Sequence, residues 1–99
     1  PGVDVYWMPG HTPGHAGVVI SSGTERAFML GDGVSCPAQF TETDWSGAGD
    51  VDPKLARDGQ EALAREIEGS SVLVRGSHFP GLEFGRIMRG EGKRYWSAV

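Results

Sequence analysis

Three short motifs carry the residues that could do chemistry: His11-Thr12-Pro13-Gly14-His15, Gly31-Asp32 and Ser77-His78. Imidazole and carboxylate groups are ligands for zinc, and a catalytic zinc keeps one position open for water or substrate. An aspartate has a second use, because each of its two oxygens can hold a separate cation. Two metals roughly 3.5–4 Å apart share a water, lower its pKa towards 7 and clamp the oxygens of a substrate. His11, Asp32 and His78 are therefore candidate metal ligands, with Asp32 the candidate catalytic bridge. Glycine next to His11 and Asp32, and two positions before His78, lets the backbone approach closely without a Cβ clash. The set is incomplete, because such a site needs more ligands than these residues supply.

Loops at strand ends must position these groups. Residues 3–8, 17–21 and 26–30 read as strands, with a hairpin turn at 22–24. Residues 9–14 cannot continue the first strand, because proline and glycine favour turns and proline removes a ladder donor. Residues 34–51 read as irregular, with Trp45 as an anchor. Asp52-Pro53 is a strong helix start, an N-cap aspartate with proline at the first helical position. Residues 54–68 then carry Leu55, Ala56, Ala62, Leu63 and Ile67 at roughly helical spacing, with Gly69 as the stop. Arg57, Glu61, Arg65 and Glu66 read as the wet face of that helix. Residues 71–75, 83–89 and 93–99 read as further strands, with a loop at 76–81 and a turn at 90–92. Each candidate ligand thus follows a strand, which is how open α/β layers build sites. Asp50 reads as a loop-stabilising or solvated charge, and Trp7, Trp45 and Trp96 as packing residues. Of the three, Trp45 is the candidate pocket wall.

Composition narrows the class. A chain of 99 residues makes at most one small domain. Sixteen glycines and six prolines imply many turns. The formal net charge of -4 and the lack of a basic stripe argue against a nucleic-acid partner. No apolar run approaches the roughly 20 residues of a membrane helix. One cysteine, Cys36, leaves no internal disulfide and fits a reducing, cytoplasmic compartment. The chain begins Pro1-Gly2, which reads as an internal start.

Taken in order, Pro9-Gly10-His11-Thr12-Pro13-Gly14-His15, Leu30-Gly31-Asp32 and Ser77-His78-Phe79-Pro80-Gly81 resemble the C-terminal half of the metallo-β-lactamase-fold hydrolases. Pro37-Ala38-Gln39, Trp45, Asp50, Asp52-Pro53 and Gly85-Arg86 look most like the branch of methyl parathion hydrolase-like and acyl-homoserine-lactonase-like enzymes. The resemblance implies an α+β fold: residues 1–99 form half of an αββα sandwich, one mostly β layer with one main helix. It implies that His11 is a histidine of one metal site, His78 the terminal histidine of the other, and Asp32 the bridge. His15 would orient its loop from behind the ligands. The family's remaining ligands lie in a His-x-His-x-Asp-His motif of the N-terminal half, which this chain lacks. Lactonases of the branch often place a tyrosine after the bridging aspartate, where this chain has Ser35.

The expected activity of the parent protein is hydrolysis of a small ester, lactone, thioester or phosphotriester by a metal-bound hydroxide. Two zinc ions are the expected cofactors, with manganese or iron suited to the same ligands. Alternatives on the same fold are an iron-dependent sulfur dioxygenase and a diiron redox protein. A third is a non-catalytic fragment or interaction module. With its partner half absent, the inner sheet face would be exposed and apolar. The isolated chain is then expected to be inactive and to dimerise or aggregate through that face.

Overall fold

A computed structural model describes residues 2–42, 45, 47 and 49–99. Within it β1 (Val3–Trp7), β2 (Ala16–Ser22) and β3 (Glu25–Met29) are followed by α1 (Ala38–Thr41) and α2 (Pro53–Ile67). After these come β4 (Leu73–Arg75), a 3-10 turn at Pro80–Leu82, β5 (Gly85–Gly90) and β6 (Lys93–Ala98). The six strands form one sheet in sequence order, β1 to β6. Every neighbouring pair is antiparallel except β3 and β4, which are parallel. The chain is therefore α+β, one mixed sheet with one main helix, as expected for half of the sandwich.

Local chemistry accounts for most elements. Asp52 caps α2 by accepting from the Leu55 N–H at 3.1 Å, with Pro53 behind it, and Gly69 lies just past the end at φ +73°. The β5–β6 turn places Glu91 and Gly92 at φ +55° and +76°, the two left-handed residues of a tight hairpin. Two elements differ from expectation. The segment read as irregular holds the single turn α1, and the loop after β4 holds the 3-10 turn.

One sheet face meets α2. Phe28, Val74 and Ile87 from the strands pack with Leu63, Ala64 and Ile67 of the helix, Phe40 of α1 and Phe79, all essentially buried. The phase of α2 differs from the periodicity reading. Its buried face is Ala56, Gln60, Leu63, Ala64 and Ile67, while Leu55 and Ala62 point outward. Ala56 sets that phase, because its backbone packs against Gly10: a Cβ on Gly10 (φ +139°) would come within 2.4 Å of the Ala56 nitrogen. Gln60 extends the same face, donating from Nε2 to the Gly33 carbonyl at 3.0 Å.

The other sheet face is open. Val3 and Val5 of β1 pair with Ile20 and Val18 of β2, and all four are exposed, as is Trp7 at 62%. Trp7 is thus exposed in this chain, whereas the partly buried Trp96 packs against the core edge-on to Phe79, 5.4 Å between centroids. Cys36 is half-buried.

Helix α2 also carries an ion network that periodicity did not suggest. The Arg94 guanidinium of β6 reaches Glu61 in a bidentate pair at 2.9 and 3.1 Å and Glu68 at 2.5 Å. Arg65 joins Glu61 and Arg89 joins Glu68. Arg94's hydrogen bonds hold both Glu61 and Glu68 below the usual carboxylate range, and those to Glu61 and Glu68 hold the guanidinium above its ordinary value. A lowered folded-state pKa contributes stability above the unfolded value, about 4.3 for glutamate, and loses it as pH falls through the folded value. The gap in melting temperature between the wild type and Glu61→Gln is therefore expected to be widest at neutral pH and to close under acid. A gap independent of pH across the carboxylate range would contradict this.

Candidate metal centre

Strand direction brings the three motifs together. β1 is antiparallel to β2, β2 to β3, and β3 is parallel to β4. β1, β3 and β4 therefore run the same way, and the loops after them emerge at one edge of the sheet. His11, Asp32 and His78 lie in those three loops.

Backbone hydrogen bonds then lock the loops to one another. Ser77 N–H donates to the Gly31 carbonyl at 2.9 Å, which continues the parallel pairing of β3 and β4 into their loops. Val51 and Asp52 donate to the His11 and Gly10 carbonyls at 3.1 and 2.8 Å, fastening the first loop to the start of α2. His15 stands behind the site. Its Nδ1 lies 3.1 Å from the Met8 carbonyl, and its Nε2 accepts from the Asp32 backbone N–H at 3.0 Å. These bonds require the neutral Nδ1–H tautomer and leave neither ring nitrogen for a metal. Gly31 makes room for this ring: at φ +57°, a Cβ there would sit 3.0 Å from His15 Nε2.

The Asp32 carboxylate sits between two imidazoles. His78 Nε2 is 3.0 Å from Oδ1, and His11 Nε2 is 3.6 Å from Oδ2. Oδ1 is shielded from solvent yet receives no hydrogen bond. A carboxylate oxygen without a donor, facing ring nitrogens outside hydrogen-bond geometry, is a donor set for a cation. The chemistry of these side chains suits metal ligation: a metal beside Oδ1 would meet His78, and one beside Oδ2 would meet His11. The fit is partial. Among the described residues, no three or more His, Cys, Asp and Glu side chains close into a complete metal cage.

One residue of this neighbourhood was not read as part of it. Asp50 is neither solvated nor merely a loop charge: its side chain is only 2% exposed, and its Oδ1 lies 2.9 Å from His11 Nδ1. Its Oδ2 accepts from the Gly47 N–H at 2.8 Å. Nothing local in the sequence marks it, since it lies 39 positions from His11. Ser35 is held through its backbone N–H, which donates to Gln39 Oε1 at 2.5 Å, and its hydroxyl faces Gly47. Trp45 is half exposed, with its carbonyl 3.4 Å from Gln39 Nε2.

The fold is that of known hydrolases. No family model matches the chain, and no curated protein matches it. Solved structures do. The chain superposes on a hydrolase of the beta lactamase superfamily, AbOPH, with a TM-score of 0.88 at 25% identity, over 99% of this chain and 34% of that one. It superposes on AidC, a dizinc quorum-quenching lactonase bound to its homoserine product, with a TM-score of 0.87 at 24% identity, over 99% and 34%. A probable metal-dependent hydrolase from Staphylococcus aureus matches with a TM-score of 0.73 at 19% identity, over 100% and 36%. The chain carries the fold of the metallo-β-lactamase superfamily and spans about a third of the length of these solved relatives.

Proposed function

We propose that this chain supplies the C-terminal part of a two-metal hydrolase site, acting on a small ester, lactone, thioester or phosphotriester. The observation that carries the reading is the donor-less Oδ1 of Asp32 facing His78, with His11 at the opposite oxygen. When bound, a zinc pair here acidifies water and polarises a carbonyl or phosphoryl oxygen. The chain's own residues do the rest. Asp32 would offer one oxygen to each cation, His11 and His78 would each add one nitrogen, and the bond from the Asp32 backbone N–H to His15 holds the carboxylate in its direction. Trp45 would form a wall of the approach, and Ser35 a polar group near it.

The resemblance implies that the remaining donors would come from a segment carrying the His-x-His-x-Asp-His pattern. The test is to join such a segment to this chain, load it with zinc or manganese, and assay esters, lactones and phosphotriesters. Hydrolysis is the expected result. Bound metal without turnover of any such substrate would overturn the enzymatic reading in favour of a non-catalytic module.

The open face of Val3, Val5, Trp7, Val18 and Ile20 has a consequence for the chain alone. Apolar patches of this kind drive association. Light scattering after gel filtration is expected to show dimers or larger species. A monodisperse monomer that unfolds cooperatively would refute that.

A further inference from the structure

We infer that Asp50 is the positioning residue of the centre: it fixes the tautomer and orientation of the His11 ring so that Nε2 is bare and aimed at the Asp32 carboxylate. The inference rests on the metal-site reading for its consequence but not for its geometry. A carboxylate accepts hydrogen bonds and donates none, so the 2.9 Å contact with Oδ1 requires the proton on His11 Nδ1. The lone pair is then left on Nε2, 3.6 Å from Asp32 Oδ2. Asp50 is itself held rigidly. The Gly47 N–H occupies its second oxygen at 2.8 Å, and the neighbouring Val51 N–H is bonded to the His11 carbonyl at 3.1 Å. The same pair of segments thus carries both the ring contact and the backbone staple. Its side chain, 2% exposed against 27% for His11, lies on the sheltered side of the ring and leaves the Asp32 side open. A hydrogen-bonded carboxylate behind a ligating imidazole orients the ring and raises its basicity, and losing such a partner typically weakens metal affinity roughly 10–100-fold.

Three histidines make the test direct, since each ring can be assigned by its own substitution. The full chain, labelled with nitrogen-15 in histidine, is examined by long-range proton–nitrogen correlation about two units above the ordinary imidazole pKa of about 6.5. His11 is expected as the Nδ1–H tautomer. Asp50→Ala is expected to give a mixture of tautomers and to weaken zinc binding, followed by titration of the same signals, roughly 10–100-fold. Asp50→Asn, whose carbonyl still accepts from Nδ1, is expected to keep the tautomer and to lose only part of the affinity. A wild-type His11 protonated on Nε2, or an Asp50→Ala chain with unchanged tautomer and unchanged zinc affinity, would overturn the inference. Zinc binding too weak to measure in the wild-type chain, which carries only part of the donor set, would leave the tautomer of His11 to decide the role of Asp50, while the metal-site reading is decided by the joined protein.

Discussion

Asp32→Asn is expected to leave the chain folded while removing whatever zinc binding its partial donor set supports. The two effects separate because different atoms carry them. The backbone N–H of residue 32 bonds to His15 Nε2, and the neighbouring Gly31 carbonyl accepts from Ser77; neither bond uses the carboxylate. The carboxylate itself is 40% exposed, and its Oδ1 makes no hydrogen bond, so the fold gains little from its charge. A change of that kind usually moves stability by no more than about 0.5 kcal/mol. Metal binding would depend on the same group, because among the described residues Asp32 is the side chain placed against both His11 and His78. An amide offers one neutral oxygen where two charged ones stood. The loss of affinity is expected to exceed the roughly 10–100-fold that follows removal of an outer hydrogen-bonding partner. A zinc titration read beside a thermal melt checks both halves. Retained affinity, or a collapse of the melt, would each contradict the assignment.

The second large effect is expected at Phe79. Its ring is 2% exposed and lies edge-on to Phe40 at 6.2 Å and to Trp96 at 5.4 Å. Truncating a buried phenylalanine to alanine costs about 3–5 kcal/mol through lost transfer energy and the cavity left behind. A domain of this size has roughly 5–15 kcal/mol in total, so Phe79→Ala should remove a large share of the stability. The position adds a functional consequence. Phe79 follows His78 directly, and its N–H bonds the Gly76 carbonyl at 3.4 Å to close the turn that presents the imidazole. With the ring gone, the turn loses its anchor and the side of Asp32 served by His78 should loosen. Urea denaturation is expected to show a much lower midpoint with an unchanged slope, and zinc affinity should fall with it. Phe79→Leu, which refills part of the volume, should recover part of both. A shift under about 1 kcal/mol would show that the core reorganises around the loss.

Much of the fold was legible because local rules act over a few residues. Asp52-Pro53 and Gly69 delimit α2 through capping and backbone preference. Glycine and proline end β1 where the His11 loop begins, and the short apolar stretch with β-branched Val3 and Val5 at its start marks a strand. The phase of α2 was less legible. Leu55 and Ala62 are as apolar as the residues that are buried, and the contact of Ala56 with Gly10 decides which face turns inward. Glu61 read as a solvated charge because Arg94, its partner, lies 33 positions away on another element.

By itself the sequence determined the donor types, the order of the three motifs and the strands that precede them, since each depends on nearby residues and their intrinsic preferences. Tertiary structure decided the rest. Pairing β3 parallel with β4, and β1 to β3 through β2, turned three loops to one edge and set two imidazoles against one carboxylate. The staple between residues 51–52 and the His11 loop brought Asp50 behind the His11 ring. Those contacts join positions tens of residues apart, and their geometry follows from strand direction and packing, which no short window of sequence contains.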